Sequence, residues 1–203
     1  MNDKQTQFDW AFGLQWLVVV AVGMAAAGML AFTFVWSVSE AVENALGETA
    51  AAFITGGLFG AIFALGAGLG SGLLMQRQGI SAARWILATV VAGAIGMALG
   101  FTLVFTFLDV DTMPEALAGV MMGLSLGLPI GIGQSLVLRQ YHFPVGEWII
   151  VSTLAFLIAV AVAFPLGGEG REWLSLGVMG LLYGTVTGLG MIWLLRRDTA
   201  VAV

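Results

Sequence analysis

The chain contains no cysteine and, in 203 residues, a single histidine, His142. Without thiols there is no disulfide framework, no thiolate nucleophile and no iron–sulfur ligation, and one imidazole does not make a His/Cys zinc site. Charge is scarce as well. Charged side chains are 9% of the residues, and seven Lys/Arg stand against twelve Asp/Glu, a net charge of −5. Tracking a phosphate backbone takes more cations than that, which argues against a nucleic-acid partner. Apolar side chains fill the space instead: the chain is 60% hydrophobic, carries 29 glycines and has a mean hydropathy of +1.01. Soluble domains do not have this usage. The chain belongs in a bilayer.

A spanning helix needs roughly 20 mainly apolar residues. Uncharged runs between charges give six such segments, near 14–38, 49–75, 85–108, 116–138, 148–166 and 174–195. The fold class expected is all-α, a polytopic membrane protein of six transmembrane helices forming one domain over residues 1–203. The first segment is read as an uncleaved span rather than a signal peptide. Its leading region has one lysine, Lys4, beside Asp3 and Asp9, and its apolar run exceeds a usual signal core.

Sorting the cations by loop fixes the expected orientation. Lys4, Arg77, Arg84, Arg139, Arg196 and Arg197 fall on one side and Arg171 on the other, so both termini are expected to be cytoplasmic. Glu40, Glu43, Glu48, Asp109, Asp111, Glu115, Glu169 and Glu172 then face outward. Arg77, Arg84, Arg139, Arg196 and Arg197 form an inner ring suited to anionic lipid headgroups. Trp10, Trp16, Trp85, Trp148 and Trp193 near the inner helix ends, with Trp36 and Trp173 near the outer ends, read as an interfacial aromatic belt. Trp36 and Trp173 are also candidate pigment or lipid contacts.

The even-numbered segments share a spacing. Gly60, Gly68 and Gln76 match Gly123, Gly131 and Arg139, and these match Gly180, Gly188 and Arg196. The odd segments open with Trp16-Leu-Val, Trp85-Ile-Leu and Trp148-Ile-Ile. Three parallel-repeated helical hairpins follow, at approximately 12–77, 85–140 and 146–197. Small residues recur at every fourth residue as Gly56, Gly60, Ala64, Gly68 and Gly72 in the second segment, and glycines do so as Gly119, Gly123, Gly127 and Gly131 in the fourth and Gly180, Gly184 and Gly188 in the sixth. Small residues let backbones approach where lipid supplies no hydrophobic force between helices. These eleven glycines are therefore the helix-packing candidates, and the second, fourth and sixth helices are expected to form a close-packed centre.

No ionisable residue lies at mid-depth in any segment, which weighs against proton-coupled transport and intramembrane catalysis. No catalytic residue and no metal site is expected. Pro129 among Gly127, Gly131 and Gly133 predicts a kink, with Gln134 able to cap freed carbonyls, bond across helices or form a binding-site wall. His142 is the single axial-ligand candidate for a haem or chlorophyll, set against a plain turn residue. The sequence requires no cofactor and leaves peripheral pigment or lipid contact open. Asp111 or Thr112 is expected to cap a helix carrying Pro114 in its first turn.

Gln15-Trp16-Leu17, Gly133-Gln134-Ser-Leu-Val-Leu-Arg139, Trp148, Gly184 and Trp193-Leu-Leu-Arg196-Arg197 together form a recognisable pattern. It resembles uncharacterised small six-span bacterial membrane proteins whose Gly-rich repeats end in Gln-Trp and Arg-Arg. Ser135 and Met191 depart from that pattern, at positions where it carries Trp and Gln. The resemblance implies a bacterial cytoplasmic (inner) membrane location and no established chemistry. Two functions are expected to compete. One is a non-catalytic subunit or scaffold packing against a larger membrane complex, of photosynthetic or respiratory type, with membrane lipids and partner subunits as its contacts. The other is a small permease, channel or lipid/quinone-handling protein with a cavity at the kink of the fourth helix.

Overall fold

The structure, a computed structural model, describes residues 10–108, 113–143, 145–167 and 170–201, with side chains through 196. Six helices follow in order: α1 (Trp10–Leu46), α2 (Glu48–Arg77), α3 (Ala82–Phe101), α4 (Glu115–Arg139), α5 (Val145–Ala163) and α6 (Glu172–Val201). A π-helical stretch, Thr102–Phe107, prolongs α3, and a 3-10 turn, Phe164–Leu166, prolongs α5. All six are long and apolar enough to cross a membrane, so the chain is built as a multi-pass membrane protein.

The helices stop where backbone chemistry stops them. Between α1 and α2 the break is the single residue Gly47, whose φ of 83° is open to glycine at little cost. Residues 39–46, beyond the end of the first apolar segment expected at 38, continue α1 and carry Glu40 and Glu43 on an exposed extension. Pro114 stands just ahead of α4 rather than inside its first turn and makes no side-chain cap. The expected caps Asp111 and Thr112 lie outside the described residues, as do Lys4, Asp109, Glu169 and the side chain of Arg197. Ser81 caps α3, its hydroxyl accepting the Arg84 amide at 3.4 Å.

Each helix packs against its two neighbours in sequence, and α6 packs back against α1, closing a six-membered ring. This corrects the expectation that the even helices meet in a close-packed centre. Their glycines face the next odd helix. A methyl group added at Gly60 would strike α3 at Gly93 and Met97, one at Gly123 would lie 2.8 Å from Leu157 Cα of α5, and one at Gly180 would lie 2.9 Å from Ala21 Cα of α1. Gly56, Gly68 and Gly72 also face α3, Gly119, Gly127 and Gly131 face α5, and Gly184 and Gly188 face α1. The reason is radial. A helix in a ring has two flanks, so a small-residue stripe serves a flank and leaves the lumen-facing side free for bulk.

The other flank of each even helix carries its own small residues. Gly70 meets Val19, Gly133 meets Ala88 and Gly190 meets Val151, while Gly23 and Gly66 cross backbone to backbone. On the outside of the ring, Leu87, Val91, Ile95 and Leu99 form a stripe along α3 that is about half exposed or more. Such a continuous apolar exterior suits lipid rather than water.

Candidate functional site

Three large side chains occupy the lumen near one end of the ring. Trp16 of α1, Trp85 of α3 and Trp148 of α5 are 2%, 0% and 0% exposed, with ring centroids 6.2 Å (16–85), 6.4 Å (16–148) and 6.0 Å (85–148) apart. The interfacial-belt expectation is therefore corrected for these three: they do lie near helix ends, but their rings point at the ring axis and not at headgroups. Trp10, Trp36 and Trp173 are largely exposed, and Trp193 is also exposed.

A buried indole carries one N–H that must find an acceptor. Trp85 donates to Ser71 Oγ at 3.0 Å, Trp148 to Gln134 Oε1 at 2.9 Å and Trp16 to Thr187 Oγ1 at 3.0 Å. Ser71 and Gln134 each lie one residue beyond a second-flank glycine, Gly70 or Gly133. Met191 holds that place in α6 and offers no comparable acceptor, so Thr187, one turn earlier, receives the indole. Gln134 also donates to Thr89 Oγ1 at 3.0 Å, and Thr89 in turn donates to the Trp85 carbonyl at 2.8 Å. The amide thus links α3, α4 and α5 as one side of the plug.

Helix α4 runs unbroken through Pro129. Proline has no N–H to offer the Ser125 carbonyl a turn earlier. That oxygen instead lies against Gly96 of α3, where any Cβ would collide with it. The small residue that absorbs the proline therefore sits on the neighbouring helix.

Toward the opposite end the lumen opens into a cavity of about 750 Å³, lined from all six helices. Phe63 and Leu126, 0% and 3% exposed, form its deep part. Phe32, Phe101 and Phe164 surround it, each sixteen residues after Trp16, Trp85 and Trp148 respectively. Phe59, Met122 and Met179, each immediately before Gly60, Gly123 and Gly180, add a second set. Trp36 stacks on Phe32 at 5.6 Å, and Phe105 meets Phe101 edge-on at 5.1 Å, at the end of the ring away from the tryptophans. Among the described residues, the charged side chains of the lining are Glu115 and Glu172, the first residues of α4 and α6. The expected location beside Pro129 does not match: Pro129 and Gln134 are not among the lining residues.

No family model, curated protein or solved structure matches the chain. The site is read from its own chemistry.

Of the binding candidates, Trp36 lines the cavity and Trp173, Gln134 and His142 do not. His142 is exposed and has a φ of 65° in the turn after α4, where its amide donates to Arg139 and that of Phe143 to Leu138. Gly79 (φ 80°) closes α2 with the same bonds, to Gln76 and from Ile80 to Met75. His142 is therefore placed as a left-handed helix terminator. Of the arginines at the tryptophan end, Arg77 donates to Gln15 at 3.2 Å and Arg84 to Gln140, tying adjacent segments together. Tyr141 accepts the Ser81 amide at 2.9 Å, joining the α2–α3 and α4–α5 turns. The recurrent aromatic at sixteen residues past each tryptophan was the sequence signal for the cavity, visible only once the odd helices are aligned on their tryptophans.

Proposed function

We propose that this protein is a non-catalytic membrane protein that holds the apolar part of a small molecule in a cavity at the outer end of a closed helical ring. One observation carries the reading: a cavity of about 750 Å³ faced by phenylalanine and methionine, within the size range of small-molecule sites. The tryptophan plug below it favours a blind pocket over a conducting pore. In this reading the ring consists of three repeated hairpins about a pseudo-threefold axis, and each glycine stripe joins one hairpin to the next. Both termini are cytoplasmic in a bacterial inner membrane, since Arg77, Arg84, Arg139 and Arg196 gather at the plugged end.

The test is mass spectrometry of small molecules extracted from the protein purified in nanodiscs. Wild type should retain an apolar compound that Met113→Trp, which narrows the cavity mouth, releases. Equal recovery from both would remove the reading. Service as a subunit of a larger complex is compatible with the apolar exterior, and purification from native membranes would reveal a stoichiometric partner chain.

A further inference from the structure

The cavity segregates its polar groups by position and by sign. Its depth is lined by Phe59, Phe63, Met97 and Leu126, whereas the charged side chains among the described lining residues, the exposed Glu115 and the half-buried Glu172, belong to the end where α4 and α6 begin. Among the described residues the lining holds no lysine, arginine or histidine. Arg171, next to Glu172, is exposed and lies outside the lining. Glu172 Oε1 accepts the Gly170 amide at 3.1 Å, which fixes the carboxylate without neutralising it. A neutral occupant would leave both carboxylates unused, and an anion would face them with no counter-charge.

The aromatic faces have the same preference. Benzene and indole rings present negative electrostatic potential from their faces and attract cations within about 6 Å of the centroid. The stacked Trp36–Phe32 pair and the Phe101–Phe105 pair stand in the lining with the two carboxylates. Methionine thioethers are polarizable and adapt to irregular apolar bodies. Building on the ligand-cavity reading above, we propose that the cavity binds an organic monocation with a bulky apolar body, the body among the phenylalanines and methionines and the positive charge toward Glu115 and Glu172.

The experiment uses two probes of the same shape and opposite charge, tetraphenylphosphonium and tetraphenylborate. Both are titrated by equilibrium dialysis against the full chain in phosphatidylcholine nanodiscs, with empty discs subtracted. Saturable phosphonium binding is expected, weakened at least about tenfold in E115Q/E172Q and within about twofold of wild type in Glu48→Gln, an acid at the start of α2 outside the lining. Tetraphenylborate should show partition into lipid only. Phosphonium binding indifferent to E115Q/E172Q, or borate binding as tight as phosphonium, would overturn the charge assignment. Saturable borate binding lost in Met113→Trp would leave the cavity reading standing without the cation. Saturable binding of neither probe would remove both. Each variant's folding is checked by its near-ultraviolet circular dichroism, which reports the packed tryptophans.

Discussion

Gln134 illustrates how a single polar group is accommodated in a lipid-embedded interior. Its oxygen and nitrogen are both engaged, by the Trp148 indole and the Thr89 hydroxyl, at 3% exposure. Replacing it with leucine orphans the buried Trp148 N–H, and an unsatisfied buried donor costs about 1–3 kcal/mol. We expect Gln134→Leu to lower unfolding stability in detergent by that order, and Trp173→Leu at an exposed position to leave it nearly unchanged. His142 is the opposite case, a residue strained by its backbone. A left-handed conformation costs a non-glycine residue about 1 kcal/mol or more, so His142→Gly should raise stability by roughly that amount. A loss of a visible absorption band in that variant would instead reveal the ligand role considered for the histidine.

At the scale of the helix, the chain separates two functions of glycine. Gly60, Gly96 and Gly123 face backbone of the adjacent helix at distances that admit no Cβ, whereas Gly177 in α6 has open space around it. Alanine at Gly96 or Gly123 should therefore force α3 from α4, or α4 from α5, and reduce the folded fraction recovered in detergent. Alanine at Gly177 should be neutral or gain about 0.5–1 kcal/mol from helix propensity. Equal losses at all three sites would mean that flexibility, not close approach, is what glycine supplies. Helix existence was legible from runs of apolar residues, because a bilayer imposes length directly. The continuation of α1 to Leu46 was not, since its charged final turns resemble a loop in composition while nothing breaks the backbone until Gly47.

For the whole molecule, the closed ring converts six similar helices into an inside and an outside. Its orientation can be checked cleanly because the chain has no cysteine. With single cysteines introduced at Gln78 and at Glu43, an impermeant maleimide applied to intact cells should label only the second, and labelling of the first would invert the assigned topology. The plug and the cavity are properties of this scale. Neither Trp16, Trp85 nor Trp148 has a local signature distinguishing a lumen-facing from a lipid-facing ring, since an apolar environment surrounds it either way.

By itself, then, the sequence determined the number of helices, the approximate extent of the apolar runs and the gathering of six of the seven cations on one side of them. Length, charge and backbone freedom are local quantities, readable along one dimension. Tertiary structure alone decided which flank each glycine stripe serves, that three tryptophans share one axis, and that two glutamates fifty-seven residues apart in sequence stand in one cavity lining. Those depend on the rotation of each helix about its own axis, and in a bilayer hydrophobicity is nearly silent about rotation because lipid and protein interior are equally apolar.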